Sequence, residues 1–350
     1  MLKSLTRLAI AAAVTICAVD ATPSMAQDKK VRAQMAGAFP STMMILGSAQ
    51  ARFLQMSHEM SHGSIDIKFF EPGALMPGSQ YFEGVSNGSL DMAYTASGYF
   101  TGKDMAFAMF TTVPFGPDSG EFLAWFDYGG GNELMREMHA KYNIYPINCG
   151  LISPEASGWF KKEINTLDDL KGLKMRFFGL GASVMNKLGV ATQLLQAGDI
   201  FQALQLGTID ATEFSMPTMD LSLGFHQAAK YYYFPGWHQQ TSIGQLYINI
   251  KKWEEFSKVQ KAIIVNSCKA NMLDEFSEGE AKQFGAMREL QAKGVIIKKW
   301  GPEFIKAFED KWKEVVKEES DKSANFAKVW ASYSKFREDY KVWRDHGYMK

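Results

Sequence analysis

Apolar and polar positions alternate along "KVRAQMAG" (30–37) and "IDIKFF" (65–70), the two-residue period of half-buried strands. Between them, "MILGSAQARFLQMSHEM" (44–60) brings Ile45, Ala49, Phe53, Met56 and Met60 round at helical spacing, which predicts an amphipathic helix. The next run, "PGSQYFEGVSNGSLDMAY", reads as a cap at Ser79, a short helix, a stop at Gly88 and a strand entered through Leu90 and Asp91. The second half of the chain repeats this order. "LKMRFFG" predicts a strand, "ASVMNKLG" a helix and "VATQLL" a strand. "GDIFQALQLGTIDATEF" then gives a cap at Asp199, a helix, a stop at Gly207 and a strand entered through Ile209 and Asp210. Gly88-Ser89-Leu90-Asp91 is thus echoed by Gly207-Thr208-Ile209-Asp210.

Strand, helix, strand, helix, strand in each half predicts two α/β lobes with largely parallel sheets. Parallel sheets take ligands beyond the carboxyl ends of their strands, so the loops after Gly37, Tyr94, Arg176 and Ala211 are expected to line a cleft between the lobes. The run "YYYFPGWHQQTSIGQLYINIKKW" (231–253) alternates aromatic and β-forming residues, which fits strands crossing back between lobes. From Pro302 onward the chain is charged and helical, with Phe304, Phe308, Trp312 and Val316 as one apolar stripe and lysines on a solvated face.

The amino terminus stands apart. Lys3 and Arg7 precede an apolar run from Leu8 to Val19, and Ser24-Met25-Ala26 closes the segment. This is the pattern of a secretory signal peptide cleaved between Ala26 and Gln27, too short to span a bilayer comfortably. The expected division is a leader over 1–26 and a first lobe over 27–150 that takes later crossing strands from about 240–260. A second lobe follows over 151–240, and crossover strands with C-terminal helices over 241–350 span both lobes. With 38 basic and 38 acidic residues, the chain lacks the electrostatic footprint that nucleic acid or an anionic membrane requires. Cys17 leaves with the leader, and the sequence leaves open whether Cys149 and Cys268 pair.

Two motifs carry tempting chemistry. His58-Glu59-Met60-Ser61-His62 matches the H-E-x-x-H zinc pattern, but Gly63 and Ser64 end the helix at once, and Ile65 and Lys68 stand where the extended pattern needs Gly and His. "DYGGGNELM" sets three glycines before a helix with no phosphate-binding lysine behind them. Nothing in the sequence demands an enzyme. Arg176 ends a strand on the cleft side, where its guanidinium offers a fork either for a ligand carboxylate or for a structural ion pair. Glu213, in "GTIDATEFSMP", sits in an apolar setting that requires a partner.

The leader, "FTTVPFG" (110–116), "SGWFKKEINTLDDLKGLKMRFFGLGA" (157–182), "LQLGTIDATE" and "KYYYFPGW" together resemble the solute-binding subunits of tripartite ATP-independent periplasmic (TRAP) transporters. The likeness runs from about Val31 to the carboxyl end, and is greatest with the branch that binds 2-oxo or 2-hydroxy monocarboxylates with a metal ion. It implies a two-lobed α/β periplasmic-binding-protein fold with a long C-terminal helical region. The function implied is periplasmic capture of a small organic acid for a TRAP membrane permease, with no catalysis and no organic cofactor. Arg176 falls on the family's carboxylate-binding arginine, and the cation set corresponds to Glu155, Glu213, the Phe214 carbonyl and Gln239, an oxygen cage for Na⁺ or Ca²⁺.

Here the chain departs from the branch: the glutamine has become Glu155 and a glutamate has become Gln239, keeping two carboxylates and one amide. The alternative is that the cage is lost and an acid pairs with Arg176. Leu151 replaces an asparagine and Phe214 a tryptophan, which argues for a ligand with a larger or more apolar tail, walled by Tyr99, Phe115 and Trp237. Swapping of the C-terminal helices into a homodimer is a further possibility of the resemblance. Competing readings are an exported metallohydrolase using Glu213 or the His58/His62 pair, and a sensory ligand-binding protein.

Overall fold

A computed structural model describes residues 28–349; the leader lies outside the described residues. The first lobe opens with β1 (Val31–Gly37), α1 (Leu46–Met60), β2 (Ile65–Phe70), α2 (Tyr81–Asn87) and β3 (Met92–Thr95). Two helices, α3 (Ser119–Tyr128) and α4 (Gly131–Ala140), lead into β4 (Ile144–Ile152). The chain then crosses to the second lobe, with β5 (Gly158–Phe160), β6 (Lys174–Arg176), α5 (Gly179–Lys187), β7 (Ala191–Gln193), α6 (Ala197–Leu206) and β8 (Ala211–Thr212). After α7 (Pro217–Ser222) and β9 (Tyr231–Phe234), β10 (Ser242–Asn249) returns to the first lobe. The remainder is α8 (Ile250–Glu255), α9 (Lys258–Ala292), β11 (Ile296–Lys299), α10 (Pro302–Lys322) and α11 (Ala324–Gly347).

The strands form one sheet in the order β2-β1-β3-β10-β4 and a second in the order β11-β9-β5-β8-β6-β7. Parallel pairing holds within each β-α-β core, β2-β1-β3 and β7-β6-β8. It fails for the strands that arrive from the other lobe: β10 runs antiparallel to β3 and β4, and β5 to β8 and β9. The expectation of largely parallel sheets is corrected at these crossings, because a strand returning from the facing lobe enters against the direction of its host.

The echo has a physical meaning. Gly88 (φ 80°) and Gly207 (φ 78°) both end their helices in the left-handed conformation that only glycine adopts without strain. Asp91 and Asp210 then each accept a backbone N–H from the central parallel strand, Gln34 of β1 (2.8 Å) and Lys174 of β6 (3.0 Å). The expected caps are corrected. Residue 80 caps α2 in place of Ser79 and residue 196 caps α6, leaving Asp199 in the first turn, where its charge suits the helix dipole.

One long helix straddles the lobes, and the two helices after it cover one lobe each. The 35-residue α9, about 50 Å long, packs on α1 and β4 of the first lobe and on α7 of the second. α10 lies on α5 of the second lobe, burying Phe304, Phe308 and Trp312, with Val315 rather than Val316 completing the buried stripe. α11 folds back on α3 and α4 of the first lobe within the same chain. Arg337 and Arg344 there both reach the buried Glu121 (3.1 and 3.2 Å). None of the helices among the described residues is long and apolar enough to cross a membrane.

A β-bulge interrupts β4 opposite Gly244 and Gln245 and leaves Cys149 out of the ladder. The Cys149 carbonyl is taken instead by the Tyr94 hydroxyl (2.9 Å) and Asn271 Nδ2 (2.8 Å), while its side chain forms a disulfide with Cys268 of α9. The bridge closes a loop of 119 residues in sequence separation. Replacing both cysteines with serine is therefore expected to lower the free energy of unfolding by about 3–5 kcal/mol. Urea titration checks this; a loss under about 1 kcal/mol would mean the bridge restrains the unfolded chain little.

Candidate functional site

Strand pairing sets the centre of the site. In the parallel pair β6–β8, Arg176 stands opposite Thr212, and the Glu213 N–H donates to the Arg176 carbonyl (3.1 Å). The two side chains therefore emerge together at the carboxyl ends of their strands. Arg176 Nη1 donates to Glu213 Oε2 (2.8 Å) and to the Glu213 carbonyl (2.6 Å), while Nε reaches the Leu195 carbonyl (3.3 Å). The Phe178 N–H donates to the same Glu213 oxygen (3.0 Å). Arg176 is 1% exposed and Glu213 is fully buried. Burial pushes the Glu213 pKa up, but Arg176, His238 and the Phe178 N–H outweigh it and hold the carboxyl below its usual range. The Phe214 ring completes the enclosure, 5.5 Å from the guanidinium.

Glu155 and Gln239 come from the two segments that cross between lobes, 153–157 and 235–241. These segments are tied by backbone bonds, Glu155 N–H to the Gln239 carbonyl (3.1 Å) and Gly236 N–H to the Glu155 carbonyl (3.0 Å). Glycine is needed at 236, where a Cβ would run into that Glu155 carbonyl. Ser215 Oγ donates to Glu155 Oε1 (3.0 Å). Three acceptors then remain buried without a hydrogen-bond partner: Glu155 Oε2, Glu213 Oε1 and Gln239 Oε1. Each such orphan costs about 1–3 kcal/mol. Burial and the Glu213 charge together push the Glu155 carboxyl well above the usual carboxylate range. An all-oxygen set with unmet acceptor capacity fits a hard cation.

His238 is the member of this cluster that the sequence reading missed. Ligating atoms of Glu155, Glu213 and His238 lie within 4.8 Å of one another, and His238 Nε2 is 3.4 Å from Glu213 Oε1. Its signal was its place beside Gln239 in "PGWHQQ", where a polar pair follows an aromatic run.

Arg176, Glu155, Phe214, Gln239 and Tyr99 line one cavity of about 50 Å³ between the lobes. Burial, first, raises the Tyr99 hydroxyl to a pKa of about 12, with Arg176 pulling it down and the two glutamates pushing it up, so it stays a phenol. Three expected wall residues are placed elsewhere. Phe115 stacks on Trp237 (5.6 Å) and Trp237 on Phe308 (4.8 Å), so both join the core under α10. Leu151 points to the opposite face of β4, into a second cavity with Met272 and Leu273, while Gly150 and Ile152 face the site. The zinc pattern also comes apart: α1 ends at Met60, and His62 (φ 50°) lies beyond it in a left-handed turn. The two histidines therefore do not share a helical face.

Residues 36–322 match the sequence pattern of bacterial extracellular solute-binding proteins, family 7. The chain belongs to this family. A monocarboxylate 2-oxoacid-binding periplasmic protein of Nostoc sp. is 33% identical over 313 residues, covering 89% of this chain and 86% of that one. A TRAP transporter solute-binding protein from Bordetella bronchiseptica, a mixed-occupancy dimer with calcium and picolinate in one site, superposes with a TM-score of 0.88 at 32% identity, over 90% of this chain and 94% of that one. A TRAP periplasmic solute-binding protein from Pseudoalteromonas atlantica, with bound sodium and pyruvate, gives a TM-score of 0.86 at 33% identity, over 90% and 96% of the two chains.

For a family member whose lobes close on a ligand, one contact across the cleft is testable. The ring of Tyr99 in the first lobe meets that of Phe178 in the second edge-on at 4.7 Å, and a Cβ on Gly98 would lie 2.5 Å from the Phe178 ring. Gly98→Val is expected to resist closure and weaken binding of any acid the parent takes by about tenfold or more. Calorimetry of parent and variant checks this; equal affinities would show that Phe178 simply turns aside.

Proposed function

We propose that this chain captures a small 2-oxo or 2-hydroxy monocarboxylate in the periplasm together with Na⁺ or Ca²⁺, and delivers it to a TRAP membrane permease. The observation that carries this reading is a buried guanidinium, Arg176, beside three acceptor oxygens of Glu155, Glu213 and Gln239 that make no hydrogen bond, the Glu213 one facing His238 at 3.4 Å. Glu213 and Leu195 engage Nη1 and Nε of Arg176, and its remaining donors serve a carboxylate in the cavity that it lines. Tyr99 adds a neutral phenol next to that pair. Glu155, Glu213, Gln239 and the Phe214 carbonyl are the residues to hold the cation, as the family resemblance suggests. When bound, the cation supplies positive charge against the two carboxylates and the incoming anion. The relatives from Nostoc and Pseudoalteromonas support this class of ligand, and the Bordetella relative supports a small monocarboxylate bound with calcium.

The reading assigns no catalysis to the site. Glu213 is held as an anion by Arg176 and a backbone N–H, which suits a fixed charge rather than a proton shuttle.

Titration with pyruvate after unfolding and refolding to strip bound ligand tests the proposal. Arg176→Ala is expected to abolish binding and Arg176→Lys to weaken it strongly, because a point charge replaces a fork. Glu213→Ala should weaken binding by about tenfold or more. Melting curves confirm that each variant is folded. Near-normal affinity in Arg176→Ala would refute the carboxylate assignment, and full binding after chelation in sodium-free buffer would remove the cation from it.

A further inference from the structure

The cavity has a second polar end, on the lobe opposite Arg176, that the carboxylate-and-cation reading leaves unused. Glu275, on α9 where it packs against β4, is fully buried and lines the same cavity as Arg176 and Glu155. Its Oε2 accepts the Leu151 backbone N–H (2.9 Å), while its Oε1 is buried with no hydrogen-bond partner. The neighbouring side chains make their hydrogen bonds to other groups. Tyr94 donates to the Cys149 carbonyl and accepts from Asn271 (3.1 Å). Arg52 donates through Nε to Asn271 (3.2 Å) and through Nη1 to Glu278 (3.3 Å), and although its Nη2 is left unpartnered, no hydrogen bond joins it to Glu275.

The backbone is cut back to admit this carboxyl. Gly150 and Gly244 face each other across β4 and β10 beside the bulge. A Cβ on Gly150 would lie 2.6 Å from Glu275 Oε2 and 2.9 Å from the Tyr94 hydroxyl. A side chain at 150 would displace the acid or fill the space in front of it.

Burial pushes the Glu275 pKa well above the carboxylate range, with the Leu151 N–H and Arg52 only partly offsetting it. Burial thus favours the protonated form, with one oxygen held by Leu151 and a hydroxyl or carbonyl left over. A neutral acid both donates and accepts, and its natural partner is a group that does the same.

We propose that Glu275 reads the end of the ligand remote from its carboxylate, and that the ligand is a 2-oxo or 2-hydroxy acid bearing a further hydroxyl at that end. This rests on the function proposed above and narrows its ligand class. A methyl-ended tail would leave the buried Glu275 oxygen unpartnered, which a hydrogen-bonding site rejects more strongly than an apolar one. An ammonium-ended ligand would require the acid to ionise in a dry setting. The cavity of about 50 Å³ restricts the acid to a few carbons. Of the two replacements that argued for an apolar tail, Phe214 lines this cavity and Leu151 does not.

The test is calorimetric titration of refolded, calcium-loaded protein with two matched pairs. These are 2-hydroxypropanoate against 2,3-dihydroxypropanoate, and 2-hydroxybutanoate against 2,4-dihydroxybutanoate. At least one diol is expected to bind about tenfold or more tightly than its partner. Glu275→Leu should reduce that preference by about tenfold, while Glu275→Gln, which keeps a donor and an acceptor, should retain most of it. Ratios near one for both pairs in the parent would overturn the inference, as would a preference unaltered in Glu275→Leu. Tighter binding of 4-amino-2-hydroxybutanoate than of the diol would overturn the hydroxyl assignment. If Glu275→Leu does not fold, the parent ratios and Glu275→Gln decide. Failure to bind any of these acids, pyruvate included, would instead refute the function on which the inference rests.

Discussion

Two carboxyl groups and one guanidinium are buried side by side, and their charges do not balance when both acids are ionised. Arg176 neutralises Glu213 through a 2.8 Å contact, which leaves Glu155 as a surplus acid facing an existing anion. A buried ion pair of this sort is weak evidence for stability, since the desolvation cost consumes most of the Coulombic gain. Its strength is in what it forbids. With both acids ionised, a carboxylate ligand entering the cavity would bring a third negative charge against the Arg176 cation. Either Glu155 carries a proton or a cation enters with the ligand. Under the second arrangement, cation and ligand each raise the affinity of the other by the same factor, as linkage requires.

The sources of these groups tie charge to motion. Arg176 and Glu213 are fixed at strand ends of the second lobe, but Glu155 and Gln239 sit in the two segments that join the lobes. Those segments are pinned to each other through the Glu155 N–H and the Gly236 N–H. Whatever satisfies the orphaned oxygens of 155 and 239 therefore acts on the connection about which the lobes move. α9 reinforces the arrangement by spanning both lobes, and it delivers Glu275 to the same cavity from the other side. A ligand that touches Arg176 at one end and Glu275 at the other would bridge the lobes directly, which is the differential contact that closure needs.

Much of the framework was legible in the sequence because local rules govern it. The left-handed stops at Gly88 and Gly207, and the aspartates that follow them, are short-range grammar written twice. Arg176 at the end of a strand and Glu213 in an apolar setting were legible as groups that each need a partner, with their pairing to each other one of two open readings. What escaped depends on long-range geometry. The sequence places Leu151 beside the ligand, but the bulge at Cys149 resets the alternation of β4 and turns its side chain to the other face. Glu275 lies in "MLDEFSEGEAK", a run whose charges look like a wet helical face; only the packing of α9 on β4 shows that this one is dry. The pairing of Cys149 with Cys268 is likewise set by that packing.

The number of oxygens the chain offers explains why ligand chemistry and cation belong together. Glu155, Glu213, Gln239 and the Phe214 carbonyl amount to four donor groups, with one Glu155 oxygen already taken by Ser215 and one Glu213 oxygen by Arg176. A calcium ion takes about six to eight oxygens and accepts irregular geometry. Protein groups alone leave it short, so water or ligand must supply the rest. An acid with an oxygen on the carbon next to its carboxylate offers two donors at a fixed spacing, and a simple fatty acid does not. The same shortage bears on the exchange of amide and acid between positions 155 and 239 that the family resemblance implies for the proposed cation site. Moving the charge from one crossing segment to the other preserves the count of oxygens and the net charge, and both are what the cation and the anion respond to. Position 239 keeps an uncharged acceptor beside His238, while the acid at 155 stands near Glu213. That concentrates the negative charge where Arg176 already lies, and makes the cation the natural counterweight.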